Sequence, residues 1–79
     1  MLNNNIFEIQ NNVLIKFNSN ETSVAIPNGV TSIGEYAFKD SIRLINVEIP
    51  KSVTEIGFVA FQGCIGLKTI KIPEGCVLE

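Results

Sequence analysis

Two consecutive stretches of this chain repeat each other without a gap, and that constrains the fold more than anything else in it. Residues 26–48 read IPNGVTSIGEYAFKDSIRLINVE, and residues 49–71 read IPKSVTEIGFVAFQGCIGLKTIK. Ten of the 23 positions match: Ile26/Ile49, Pro27/Pro50, Val30/Val53, Thr31/Thr54, Ile33/Ile56, Gly34/Gly57, Ala37/Ala60, Phe38/Phe61, Ile42/Ile65 and Leu44/Leu67. Val47/Ile70 adds a conservative pair, and a third unit opens at Ile72-Pro73 and stops after Val77. The matched residues are mostly apolar or turn-forming, and the unmatched ones mostly polar. Stacked coils read this way, because each buried position faces its equivalent one coil on while exposed positions drift.

The roles within one unit follow from residue chemistry. Asn46-Val47-Glu48-Ile49 alternates polar and apolar, as a strand with one buried face does. Ser23-Val24-Ala25-Ile26 and Thr69-Ile70-Lys71-Ile72 are its partners one coil away, so a parallel ladder spaced by about 4.8 Å is expected. In that register Val24, Val47 and Ile70 form one inward row, and Ile26, Ile49 and Ile72 another. Pro50 ends the strand because it has no ladder donor, and Pro27-Asn28-Gly29 and Pro73-Glu74-Gly75 read as turns. Val53-Thr54-Glu55-Ile56 is a second extended piece, broken by Gly57. Phe58-Val59-Ala60-Phe61 then suggests one or two helical turns with Ala60 and Phe61 inward, and Leu67 closes the coil.

The N-terminal segment does not fit the repeat. Phe7-Glu8-Ile9 and Val13-Leu14-Ile15-Lys16-Phe17 alternate like strands, and Asn11-Asn12 suits a tight hairpin turn because Asn tolerates positive φ. A hairpin over residues 6–17 covering the first coil is expected. The chain is thus one domain: 1–25 hairpin cap and first stacked strand, 26–48 repeat 1, 49–71 repeat 2, and 72–79 a truncated repeat 3. Leu78-Glu79 reads equally as native sequence or cloning remnant and is set aside from the fold.

The pattern Leu44-x-x-Val47-x-Ile49-Pro50-x-x-Val53-x-x-Ile56-Gly57-x-x-Ala60-Phe61-x-x-Cys64-x-x-Leu67 resembles the BspA-like leucine-rich repeat family over residues 24–77. The resemblance implies an α/β solenoid: a right-handed coil of short parallel strands and short helical turns, with an N-terminal β-hairpin cap. It also implies kinship with bacterial surface proteins and some protozoan proteins that bind host proteins or other cells. Relatives commonly carry many repeats where this chain has two.

Several functions are excluded by what the chain lacks. It has no histidine, so the commonest general base and the usual partner of a Ser or Cys nucleophile are missing. Glu35, Asp40, Glu48, Glu55 and Glu74 fall at non-repeating positions and read as solvated surface. Gly57, Gly63 and Gly66 make no phosphate loop. Cys64 and Cys76 fall short of a four-ligand zinc site. Cys64 stands where the family usually has Cys and repeat 1 has Ser41; Cys76 aligns with Val30 and Val53. Both read as small buried hydrophobes and as free thiols. No catalytic, cofactor or metal residues are therefore expected, and the chain reads as a non-enzyme.

Charge points the same way. With 6 basic and 8 acidic residues the net charge is −2, which makes no footprint for nucleic acid or an anionic membrane. No apolar run is long enough to span a bilayer. The start Met1-Leu2-Asn3-Asn4-Asn5 lacks the basic and apolar stretches of a secretory signal, leaving a cytoplasmic chain or a piece of an exported surface protein. The Asn20-Glu21-Thr22 sequon is discounted as chance in an Asn-rich segment.

Two surfaces remain. The outward positions of the strand row, Ser23, Ala25, Asn46, Glu48, Thr69 and Lys71, are where a protein ligand would bind. Glu48 and Lys71 are adjacent there and read first as a cross-strand ion pair. At the C-terminal end Phe61, Leu67, Ile70 and Ile72 have little above them, whereas the hairpin blocks the N-terminal end. The expected function is a non-catalytic protein–protein interaction module, the alternative a self-associating structural unit with no separate ligand. A homodimer through the uncapped C-terminal end is expected.

Overall fold

The computed structural model describes residues 6–57 and 59–78; the leader reading at residues 1–5, the helical reading at Phe58 and the remnant reading at Glu79 fall outside it. Eight short strands follow one another: β1 (Phe7–Gln10), β2 (Val13–Phe17), β3 (Ser23–Ala25), β4 (Ser32–Ile33), β5 (Asn46–Glu48), β6 (Glu55–Ile56), β7 (Thr69–Lys71) and β8 (Val77–Leu78). They form two sheets, one in the order β3-β5-β7 and one in the order β1-β2-β4-β6-β8. Every pairing beyond the β1–β2 hairpin is parallel.

The repeat sets the register. Ser23, Asn46 and Thr69 pair in sequence, as do Val24, Val47 and Ile70, and Ala25, Glu48 and Lys71. On the other sheet Ile33 pairs with Ile56. The apolar member of each row turns inward, so Val24, Val47, Ile33, Ile56, Val30 and Val53 are all buried. The Phe side chains form a column: Phe7 tilts against Phe17 at 5.7 Å, Phe17 stacks on Phe38 at 5.0 Å, and Phe38 on Phe61 at 4.8 Å. Aromatic pairs at these centroid separations contribute beyond the area they bury.

The N-terminal segment corrects the sequence reading in one respect. The hairpin forms, with Asn11 and Asn12 at φ 53° and 66° as its two turn residues. However, β2 also stacks in parallel on β4, pairing Leu14 with Ile33. Gly34 N donates to Leu14 O at 2.8 Å, just as Gly57 N donates to Ile33 O at 2.7 Å. Residues from Asn12 onward therefore make a shortened first coil. Thr31 N bonds Asn12 O and Ile45 N bonds Thr22 O, so the path from Asn12 to Thr22 does the work of the longer path from Thr31 to Ile45. Residues missing from its turn side hide it from an ungapped comparison.

A second correction concerns the segment read as helical. No helix occurs among the described residues. In each coil overlapping β-turns follow the conserved glycine: Ala37 N to Gly34 O, Lys39 N to Tyr36 O and Ser41 N to Phe38 O, then Ala60 N to Gly57 O, Gln62 N to Val59 O and Cys64 N to Phe61 O. Tyr36, Asp40, Val59 and Gly63 have positive φ, which breaks each turn before a helix can propagate. The freed donors bond the next coil instead, Phe38 N to Ala60 O at 2.8 Å and Asp40 N to Gln62 O at 2.7 Å. Stacking satisfies the backbone here in place of an intrahelical ladder.

At the C-terminal end Leu78, left out of the fold reading as native sequence or cloning remnant alike, lies in β8 opposite Ile56. That pairing is one residue short of the repeat, which brings Leu78 rather than its neighbour beside Ile56.

Candidate functional site

The strand row at the β3-β5-β7 sheet brings together all six residues expected at a ligand face. Strand alternation sends Val24, Val47 and Ile70 inward, so their neighbours point out. Ser23, Asn46 and Thr69 form one outward row and Ala25, Glu48 and Lys71 the next. All are exposed except Asn46, which is half-buried and whose Nδ2 donates to Ser23 Oγ at 3.1 Å. That bond orients the Asn46 amide along the row.

Glu48 and Lys71 sit side by side in the register, yet the expected ion pair is not closed among the described residues. Both charges are solvated, where an exposed pair gains little over water. Their heads therefore stay free for a third group. An open groove of about 540 Å³ borders them, lined by Ala25, Glu48 and Lys71 together with Ile26, Pro27, Asn28, Ile49 and Pro50. The sequence reading took Pro50 only as a strand terminator and Pro27 only as the start of a turn. Their recurrence at the repeat offset was the signal that they also form a wall, since equivalent residues in adjacent coils lie side by side.

The remaining chemistry-bearing residues are scattered. Glu35, Asp40, Glu48, Glu55 and Glu74 are all exposed. No group of three or more His, Cys, Asp or Glu among the described residues is placed to hold a metal ion. Lys39 lies over the Tyr36 ring at 5.4 Å.

The two thiols are free but only half-buried, not enclosed as their repeat positions suggested. Both lie in the last coils described, where side chains are less covered than in the coils before. Burial pushes the Cys64 thiol up from its ordinary value, the Ser41 backbone opposes this, and the Asp40 carboxylate adds to it. Cys64 Sγ also donates to Phe38 O at 3.0 Å. Cys76 is raised by burial and then by Glu55.

The C-terminal end differs from the N-terminal one. Phe17 and Val24 in the first coil are buried, and so is Leu44. Their counterparts Phe61, Leu67 and Ile70 are only half-buried, and Ile72 is 41% exposed. The hairpin explains only part of this. β1 flanks the larger sheet, but β3 is an edge of the smaller one, so the hairpin does not block that edge.

Comparison with known proteins gives two likenesses. Residues 7–78 match the model of the BspA type leucine rich repeat region, in 6 copies. The match begins within β1 and so takes in the segment that the sequence reading placed outside the repeats. The crystal structure of a T. pallidum leucine-rich repeat protein superposes with a TM-score of 0.83 at 25% identity, covering 96% of this chain and 42% of that one. This chain thus spans less than half the length of that protein. No curated protein matches.

Proposed function

Because the chain belongs to the BspA-type leucine-rich repeat family, we propose that it is a non-catalytic module that binds a protein through the outward face of the β3-β5-β7 sheet. One observation carries the reading: the open groove beside the Ala25, Glu48 and Lys71 row, with both charges unpaired. A parallel row of short strands offers side chains at fixed spacing on a rigid frame. That suits recognition of a polypeptide segment better than of a small molecule, because the groove is too open to enclose one. An extended segment carrying both an acidic and a basic side chain would complement Lys71 and Glu48, and its apolar side chains would lie against Pro27 and Pro50. Charged contacts of this kind favour specificity and association rate more than affinity. Leucine-rich repeat relatives are generally non-catalytic, which supports the same reading.

The test is a display selection. Peptides enriched on the wild-type protein are measured against the Glu48→Lys/Lys71→Glu variant, whose exposed substitutions keep the net charge. The expected result is a loss of binding of about tenfold or more with an unchanged circular dichroism spectrum. Peptides that bind both proteins equally, or no enrichment at all, would remove the sheet face from consideration.

A further inference from the structure

We propose that Asn28 is a site of slow self-modification, at which its side-chain amide becomes a carboxylate on the lining of the sheet-face groove, and that the Ser52 hydroxyl of the next coil restrains the reaction. The modification does not depend on what the groove binds.

Asn28 stands apart from the other asparagines of the chain. It alone precedes a glycine; the others precede Asn, Ile, Val, Ser or Glu. Asparagine forms a cyclic imide when the backbone nitrogen of the next residue attacks its side-chain carbonyl carbon. A following glycine leaves that nitrogen without a side chain beside it. Nucleophile and carbonyl belong to one chain, so proximity favours the step and no second protein is needed. The structure adds access. Asn28 is exposed, Gly29 has a φ of +99°, and nothing lies within 4 Å of where a Gly29 Cβ would be. Asn46 is the contrast within the same molecule. It is half-buried, its Nδ2 bonds Ser23 Oγ, and the nitrogen that follows belongs to Val47 in the middle of β5.

The chemistry needs water alone. The Gly29 nitrogen gives up its proton to solvent and bonds to Asn28 Cγ. The bond from Cγ to the side-chain nitrogen breaks, and ammonia leaves after regaining a proton. Water then opens the imide at either carbonyl. One opening gives aspartate, the other isoaspartate, in which the main chain runs through the former side chain; nothing is oxidised or reduced. Either product adds one negative charge to a chain of net charge −2. Because Asn28 lines the groove with Glu48 and Lys71, the new carboxylate joins those two charges there.

The restraint comes from the neighbouring coil. Gly29 N–H donates to Ser52 Oγ at 3.2 Å, and the same hydroxyl donates to Val30 O at 2.7 Å. Val30 is buried, and its own N–H closes the turn onto Pro27 O. To attack, the Gly29 nitrogen must release the proton it shares with Ser52 and leave this bridge. A hydrogen bond to the nucleophile therefore opposes the reaction. Ser52 occupies the position equivalent to Gly29 one repeat on, so the stacking of coils sets the restraint.

The test incubates the full chain in warm, mildly alkaline buffer and follows each asparagine by peptide mapping with mass spectrometry. Asn28 should convert faster than Asn46, with an acidic shift on isoelectric focusing. Ser52→Ala should speed conversion at Asn28 by roughly two- to tenfold, the range that one hydrogen bond is worth, and leave Asn46 unchanged. Ser52→Thr, which keeps the hydroxyl, should hold the wild-type rate. Asn28 converting no faster than Asn46 would overturn the site. An unchanged Asn28 rate in Ser52→Ala, or equal acceleration at Asn28 and Asn46, would overturn the restraint.

Discussion

At Gly57 the coils approach so closely that no side chain fits. A Cβ there would lie 2.8 Å from Glu35 N, 2.9 Å from Gly34 C and 3.0 Å from Ile33 O, all backbone atoms that cannot swing aside. Gly57→Ala should therefore destabilise by about 2 kcal/mol, as overpacking of a tight site does. Gly29 differs: nothing lies within 4 Å of its would-be Cβ, but its φ is +99°. Gly29→Ala should cost only the conformational penalty, about 1 kcal/mol. Urea midpoints at constant slope would rank the two, and a larger loss at Gly29 would contradict the close approach. The matched Gly34/Gly57 pair was legible in the sequence as a turn device. Its role in spacing coils was not, because that role depends on atoms of the adjacent coil.

The thiols make a second prediction at this scale. Burial raises both above the ordinary thiol value, so the native state favours the neutral form. The stability this contributes is complete below the unfolded-state value and is lost as pH rises through and above it. The wild type should therefore lose more stability between neutral and strongly alkaline pH than the Cys64→Ser/Cys76→Val variant, which borrows the residues of equivalent repeat positions. Parallel pH profiles for the two proteins would count against it. The sequence read each cysteine as a small buried hydrophobe, because it gave no sign that a position stops being enclosed in the last coil.

At the scale of elements, the strands, the Asn11-Asn12 turn and the Pro-x-Gly turns were legible, and the turns after Gly34 and Gly57 were not. Alternation in Asn46-Val47-Glu48 and its repeats fixes face, register and neighbours together, since a one-residue slip would turn Val47 to solvent. The outward placement of the six candidate residues was legible for the same reason. The segment after each conserved glycine misled, because positive φ there is carried by Tyr36, Asp40 and Val59. Non-glycine residues rarely adopt it, so composition gives no warning. Far-UV circular dichroism should accordingly lack the helical double minimum. A helical signal would mean that the overlapping turns relax into helix in solution. The shortened first coil escaped for a different reason: Leu14 and Phe17 stack on Ile33 and Phe38 at offsets shorter than the repeat.

For the whole molecule, the repeat supplies its own control. Leu44 and Leu67 occupy the same position in successive coils, but Leu44 is fully buried while Leu67 is half-buried. Leu44→Ala should cost about 3 kcal/mol, within the range for a large-to-small change in a core. Leu67→Ala should cost about 1 kcal/mol in dilute solution, because little of its surface is withdrawn from water. The difference comes from the coils on either side: Leu44 has a coil stacked on both faces, while Leu67 is only half-covered, and the same deletion therefore removes less buried surface. Denaturant melts of both variants at constant slope measure this directly. A Leu67→Ala cost that equals the Leu44→Ala cost would mean that burial at this position does not fall between the two coils.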